Sequence, residues 1–191
     1  MIIRKLYKVE TSHVLESAYT ERCRSLHGHS AEIEVFLSSD KLDKAGMVID
    51  FSMLKKGTPV GDFIDAFDHS FIMKKGSSHE KYISDNFSRW IVIPEYPTAE
   101  NLAALMHYYV ALIISQHPYY HSYSHVDCVC VRYHETSTGY AQSDKVDCER
   151  FKEKPLFMFS HATVQDWMDY KSSRGDRDGK WGNNTLKKIF E

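Results

Sequence analysis

Residues 30–37 read Ser-Ala-Glu-Ile-Glu-Val-Phe-Leu, with Ala31, Ile33, Val35 and Leu37 alternating against mostly polar neighbours. Alternation of period two specifies a strand with one buried face. The residues just before it, His27-Gly28-His29, keep the same parity, so both imidazoles fall at the end of that buried face, where water is partly excluded. Side chains two positions apart leave an extended chain on one side and can reach one ion. Gly28 between them carries no side chain to crowd it. An HxH pair alone is equally the polar end of a strand. A third candidate, His13, stands at the end of Ile2 to Thr11, a segment that also reads as a strand. Three neutral imidazoles hold zinc at roughly 2.0–2.1 Å and leave a fourth position open to water or substrate.

The length fits one domain, 1–150, with an appendage over 151–191 of different character. A formal net charge of −2 and a pI near 6.6 give no general electrostatic reason to expect nucleic acid as a partner. No apolar run approaches the ~20 residues that span a bilayer. Met1-Ile2-Ile3-Arg4-Lys5 lacks the apolar core of a signal peptide, which predicts a cytoplasmic protein. The cysteines, Cys23, Cys128, Cys130 and Cys148, match no disulfide framework and read as thiols. Cys128 and Cys130 alternate with valines in an apolar strand and read as packing groups, whereas Cys23 lies four residues before His27.

Ser38 to Asp40 and Lys44 to Gly46 mark a loop, and Met47 to Phe51 returns to an apolar run. A helix is expected through Phe63, Ile64 and Phe67, with Gly57, Pro59 and Gly61 weakening its start. Lys74 to Pro97 reads as a long mixed connection. Pro97-Thr98 then opens the clearest helix: Thr98 can cap it, Glu100 suits its positive end, and Leu102, Leu105, Met106, Tyr109, Leu112 and Ile113 recur at helical spacing. Val126 to Thr136 predicts a strand and Tyr140 to Cys148 a return strand, together a hairpin. In the tail, Thr163 to Asp166 is expected to cap a short helix carrying Val164, Trp167 and Met168.

These residues resemble the family of 6-pyruvoyl- and 6-carboxy-tetrahydropterin synthases. Its pattern of an early histidine, C-x-x-x-H-G-H, Asp-His, P-T-x-E-N and a late Glu-Thr appears in order as His13, Cys23 to His29, Asp68-His69, Pro97 to Asn101 and Glu135-Thr136, within about Ile3 to Ala141. The resemblance implies an α+β tunnelling fold (T-fold), an antiparallel four-stranded sheet with two helices on one face. It also implies a homo-oligomer whose sheets join into barrels, a hexamer built from trimers. It implies His13, His27 and His29 as zinc ligands, Cys23 as general base and Asp68 with His69 as proton relay. Glu135 would anchor the pterin and join the relay, and Thr98 would offer a second substrate contact. The C-x-x-x-H-G-H form with Val48 to Phe51 looks most like 6-carboxy-tetrahydropterin synthases of queuosine biosynthesis. Those convert 7,8-dihydroneopterin triphosphate to 6-carboxy-5,6,7,8-tetrahydropterin, acetaldehyde and triphosphate. The alternative within the family is 6-pyruvoyl-tetrahydropterin synthase, which stops after triphosphate elimination and internal redox transfer.

A reading of another class stands beside these. Cys23 could close the zinc site as a fourth ligand, giving a structural centre in a non-catalytic binding protein. Glu135 shares the parity of Val129, Val131 and Tyr133, so it points inward, where an unpaired charge is costly and a partner is expected. His117, His121 and His125 would align on a helix, but Pro118 interrupts one and favours a surface loop. Arg22, Arg24, Lys74 and Lys75 are candidate contacts for a triphosphate, and their spacing selects none of them. This chain departs from the family in reading Ser70 to Met73 after Asp68-His69, in its longer connection to Pro97, and in its tail.

Overall fold

The structure is a computed structural model that describes residues 1–152, 154 and 158–160. In chain order, β1 (Ile2–His13) leads through a helical turn, α1 (Glu21–Arg24), into β2 (His27–Ser38), and α2 (Pro59–Asp65) precedes β3 (Ser70–Lys74). Next come α3 (Glu80–Asn86), β4 (Trp90–Ile93) and the long α4 (Ala99–Gln116), then β5 (Asp127–Thr136), β6 (Gly139–Ser143), α5 (Lys145–Glu149) and β7 (Met158–Phe159). The α+β class holds.

The alternating residues behave as their period dictates. β1 and β2 pair antiparallel from Ile2↔Ser38 to His13↔His27, and Val9, Ala31, Ile33, Val35 and Leu37 are buried in the main core. β5 adds to β2 and β6 to β5, both antiparallel, with Val131 and Tyr133 on the same buried face. α2 and α4 cover that face, contributing Phe63, Ile64, Leu102, Leu105, Met106, Tyr109 and Ile113. Each such side chain gains about 1.5–3 kcal/mol on burial, so this face carries the stability of the fold. Thr98 caps α4, its hydroxyl accepting from the Asn101 amide at 3.3 Å. The helix is enclosed beyond its expected stripe, since Ala103, Ala104, Val110 and Ile114 are also buried.

Three expectations are corrected. Among the described residues the sheet has seven strands, in the order β6-β5-β2-β1-β3-β4-β7, where four were expected. The connection from Lys74 to Pro97 is not featureless, because it contains α3 and β4. β3 and β4 run parallel to β1 and to each other, and both of their faces are covered. Ile72, Ile91 and Ile93 enter the main core, while Phe71, Met73 and Val92 meet Val14 and Ile83 of α3 in a second cluster. A strand covered on both sides needs no alternation, so Trp90 to Ile93 offers a short apolar run without a period. α3 therefore lies on the face opposite α2 and α4. Finally, the return strand stops at Ser143, where Asp144 and Asp147 form a capping box that starts α5.

Gly61 was expected to weaken α2, and the packing instead demands it. A Cβ there would lie 2.0 Å from the carbonyl oxygen of Lys55. Beyond Glu149 the described chain continues into the fold, with Phe151 in the main core and β7 paired to β4. The helix expected after Thr163 lies outside the described residues. Among the described residues, no helix is long and apolar enough to cross a membrane.

Candidate active site and metal centre

His13 and His27 are directly paired on the β1–β2 ladder, and His29 faces Thr11 two pairs further in. Pairing places partners on the same face, so the parity argument that aligned His27 with His29 also brings in His13. The three offer ring nitrogens that all lie within 4.8 Å of one another. Gly28 is needed for a reason beyond uncrowding the site: a Cβ there would stand 2.9 Å from the Thr11 carbonyl oxygen.

Hydrogen bonds on the far side of the rings settle which nitrogens face inward. His13 Nδ1 lies 2.8 Å from the Pro97 carbonyl and His27 Nδ1 lies 2.8 Å from the Ser25 carbonyl. A carbonyl oxygen only accepts, so in each neutral ring Nδ1 carries the proton and Nε2 presents a lone pair. These two Nε2 atoms then face each other at 3.0 Å, acceptor to acceptor. His29 Nε2 is buried with no hydrogen-bond partner among the described residues. A cation at the convergence turns repulsion into attraction and satisfies the orphaned nitrogen, so the residues present fit a metal ion of the zinc kind. Burial, with the nearby imidazoles adding to it and the Pro97 bond opposing, lowers the His13 pKa to about 4 and keeps that ring neutral and ready to bind.

Glu135 stands beside the cluster, Oε1 lying 3.6 Å from His13 Nε2 and 3.7 Å from His29 Nε2. It is not within reach of all three imidazoles and so is not part of the donor set. The next residue inward, Tyr133, is buried and its hydroxyl lies 3.3 Å from Thr11 Oγ1. Cys23 sits in α1, half-buried, with its amide bonded to the Thr20 hydroxyl at 3.3 Å. Its thiol does not join the donor set either, so the closed four-ligand centre is not formed in this structure.

Adjacent side chains on a strand diverge, yet Asp68 and His69 do meet, at 2.9 Å between Oδ2 and Nδ1. The reason is local. They occupy the turn between α2 and β3, and His69 has φ +56°, a left-handed conformation that folds its ring back. The turn is clamped to β1, because His69 N–H donates to the Glu10 carbonyl at 2.6 Å and Glu10 N–H donates to Asp68 Oδ1 at 2.8 Å. Partial burial acts against the charge of Asp68, but the bonds from Glu10 and His69 prevail and hold its carboxyl below the usual range. Arg89, which the sequence did not single out, holds the turn from outside by donating to the Asp68 carbonyl at 2.9 Å. A cavity of about 400 Å³ has both His27 and His69 in its wall, with Phe71, Phe87 and Arg89. His69 of the pair and His27 of the cluster thus border one depression.

Other candidates disperse. Lys74 lies over the ring of Tyr96 at 4.3 Å, and Arg24 donates to the Ala18 carbonyl at 3.2 Å. Cys128 and Cys148 are buried free thiols, Cys130 is half-buried, and desolvation raises the pKa of each, as packing groups should show. His117 ends α4 and a 3-10 turn over Pro118–Tyr123 follows, and no second metal cluster forms among the described residues. Sequence reasoning also missed the carbonyls of Pro97 and Ser25, since a backbone acceptor leaves no mark in residue identity.

Residues 2–145 match the family described as 6-pyruvoyl tetrahydropterin synthase. A 6-carboxy-5,6,7,8-tetrahydropterin synthase from Helicobacter pylori strain J99 is 33% identical over 177 residues, 88% of this chain and 88% of its own. An enzyme of the same name from Haemophilus influenzae is 33% identical over 109 residues, 53% of this chain and 75% of its own. Among solved structures, an uncharacterized protein from Wolinella succinogenes superposes with TM-score 0.61 at 21% identity, over 76% of this chain and 98% of its own. The 6-pyruvoyl tetrahydropterin synthase of Plasmodium vivax follows with TM-score 0.53 at 18% identity, covering 75% and 97%. At these identities the structural likeness speaks for the fold.

Proposed function

The chain belongs to the 6-pyruvoyl tetrahydropterin synthase family, and from that premise we propose that it is a zinc-dependent 6-carboxy-5,6,7,8-tetrahydropterin synthase. Its substrate is 7,8-dihydroneopterin triphosphate, its products are 6-carboxytetrahydropterin, acetaldehyde and triphosphate, and its place is in queuosine biosynthesis. The observation that carries the reading is the convergence of three imidazole nitrogens, all within 4.8 Å of one another, in a chain 33% identical to a relative of that name.

His13, His27 and His29 would hold the zinc. When bound, it polarises oxygens of the substrate side chain, which acidifies the neighbouring carbon-bound protons. Cys23 removes such a proton as general base. Asp68 accepts from His69 Nδ1–H and so holds the imidazole in one orientation, leaving Nε2 to pass a proton to or from substrate. Glu135 accepts hydrogen bonds from the amino-pyrimidinone edge of the pterin and places the side chain at the histidine cluster. The Thr98 hydroxyl accepts from Asn101 in the cap and keeps its own proton to donate to the ring.

The active form is a homo-oligomer, a hexamer built from trimers. β3 covers the outer edge of β1 only over Thr11–His13, and β6 ends the sheet on the other side, so two strand edges are left for pairing between copies. Residues 1–150 carry the proposed synthase site, and the extension over 151–191 begins within the same fold, at Phe151 and β7. The four free thiols suit a reducing cytoplasm, and a soluble pterin, not nucleic acid or membrane, is the partner.

Incubating the zinc-loaded protein with 7,8-dihydroneopterin triphosphate and identifying the pterin tests the proposal. Acetaldehyde with the 6-carboxy product supports it, and a 6-pyruvoyl product without acetaldehyde replaces it with the sister activity. Cys23→Ala separates base from ligand: zinc retained with turnover lost supports the base, whereas loss of zinc and fold supports a closed, non-catalytic centre.

A further inference from the structure

Residues 14–26 join one metal-ligand candidate to the next, since His13 precedes them and His27 follows. Both ends are fixed by the ladder pair His13↔His27, and Val14 is buried in the second core cluster. The middle is held by an internal bond, Leu15 N–H to the Cys23 carbonyl at 3.0 Å, so whatever fixes Leu15 also fixes the residue that bears the thiol. Beside Leu15, Glu16 reaches out of the loop. Its Oε1 accepts from Ser77 Oγ at 3.2 Å, from the Ser78 amide at 2.9 Å, from the Ser78 hydroxyl and from His79 Nδ1 at 3.1 Å.

The receiving turn is also held by hydrogen bonds of its own. Ser77 N–H donates to the Lys74 carbonyl at 3.0 Å, Glu80 N–H to the Ser77 carbonyl at 3.1 Å, and Gly76 N–H to the Glu80 carboxylate at 2.6 Å. This turn opens the connection from Lys74 to Pro97. Exposed ion pairs and hydrogen bonds add little to global stability. Four donors gathered on one carboxylate at the surface are therefore better explained by what they immobilise than by what they contribute to folding.

We propose that Glu16 is a positioning residue, and that the 77–79 turn grips its carboxylate to hold the 14–26 loop and set the location of the Cys23 thiol. The tether is independent of catalytic role, whereas its effect on turnover rests on the function proposed above. The histidine backbones are fixed by the ladder, and within the loop His27 Nδ1 also meets the Ser25 carbonyl.

The test compares wild type with Glu16→Ala, Glu16→Gln and the double variant Ser77→Ala/Ser78→Ala, all zinc-loaded. The first readout is the iodoacetamide alkylation rate of Cys23, resolved by peptide mass spectrometry against Cys130 in the same sample. Glu16→Ala and the serine double variant are expected to speed Cys23 alkylation by about threefold or more as the loop opens, with zinc content unchanged. Glu16→Gln, which keeps an acceptor oxygen, should restore much of the wild-type rate. Turnover of 7,8-dihydroneopterin triphosphate should show kcat lowered roughly tenfold in Glu16→Ala with KM little changed, the mark of a misplaced base. Faster alkylation with unchanged kcat supports the tether and removes Cys23 from the chemistry. A wild-type alkylation rate in both Glu16→Ala and the serine variant overturns the proposal, whatever the pterin product.

Discussion

Acid should destabilise the metal-free protein through His13. The ring is 3% exposed, and burial first, then the neighbouring imidazoles, lowers its pKa from 6.5 to about 4 in the folded chain. The unfolded chain therefore binds a proton through a window in which the folded chain does not. Stability from this group is fully present above about pH 6.5 and is lost as the pH falls towards 4. A shift of this size is worth about 3 kcal/mol in all, of which about 2 kcal/mol is lost by pH 5. The assay is urea unfolding of the chelator-treated protein at pH 7.5 and pH 5, beside His13→Gln, whose amide can still donate towards the Pro97 carbonyl. The buried His107 is also held neutral by desolvation and loses stability in the same direction, but it is present in both proteins and cancels. Wild type should lose about 2 kcal/mol more than the variant between the two pH values. Equal losses would show that His13 is not the neutral, buried ring described, and the argument for its readiness to bind metal would fall with it. Saturating zinc at pH 7.5 should stabilise wild type by about 2.7 kcal/mol for each hundredfold excess over Kd, and the variant far less.

Gly61→Ala tests the close approach under α2. Helix propensity alone would gain about 1 kcal/mol. The backbone contact at 2.0 Å reverses the sign, and a net loss of about 3 kcal/mol, or roughly 6–12 °C in Tm, is expected. A Tm at or above wild type refutes it. Glu135→Gln removes the charged acceptor beside the cluster and should lower kcat/KM roughly 10- to 150-fold without changing zinc content. Unchanged kinetics in this variant would take Glu135 out of substrate recognition.

The histidine cluster was legible because strand parity is a strict code. Once Ala31 to Leu37 alternate, the direction of His27 and His29 follows, and direct pairing on the ladder adds His13. The helix from Thr98 was legible because its cap and its spacing agree. β4 was not, because Trp90 to Ile93 is buried on both faces and shows no period. The contact between Asp68 and His69 was hidden for another reason, since it depends on a left-handed φ at a residue that is not glycine. Gly61 was read by its intrinsic propensity, and a carbonyl brought near by tertiary packing decided its role. Glu16 gave no signal, because its partners are more than sixty residues away.

His13, His27 and His29 all come from a single hairpin, whereas Glu135 reaches the same point from β5. The entropic cost of closing a chain segment rises with its length, so contacts within a hairpin can form before contacts that span most of the chain. On the roles proposed for them, metal capture and substrate recognition would therefore be separable in time. The first forty residues hold every imidazole of the cluster, so a chain emerging from the ribosome would complete that cluster long before Glu135 has been made.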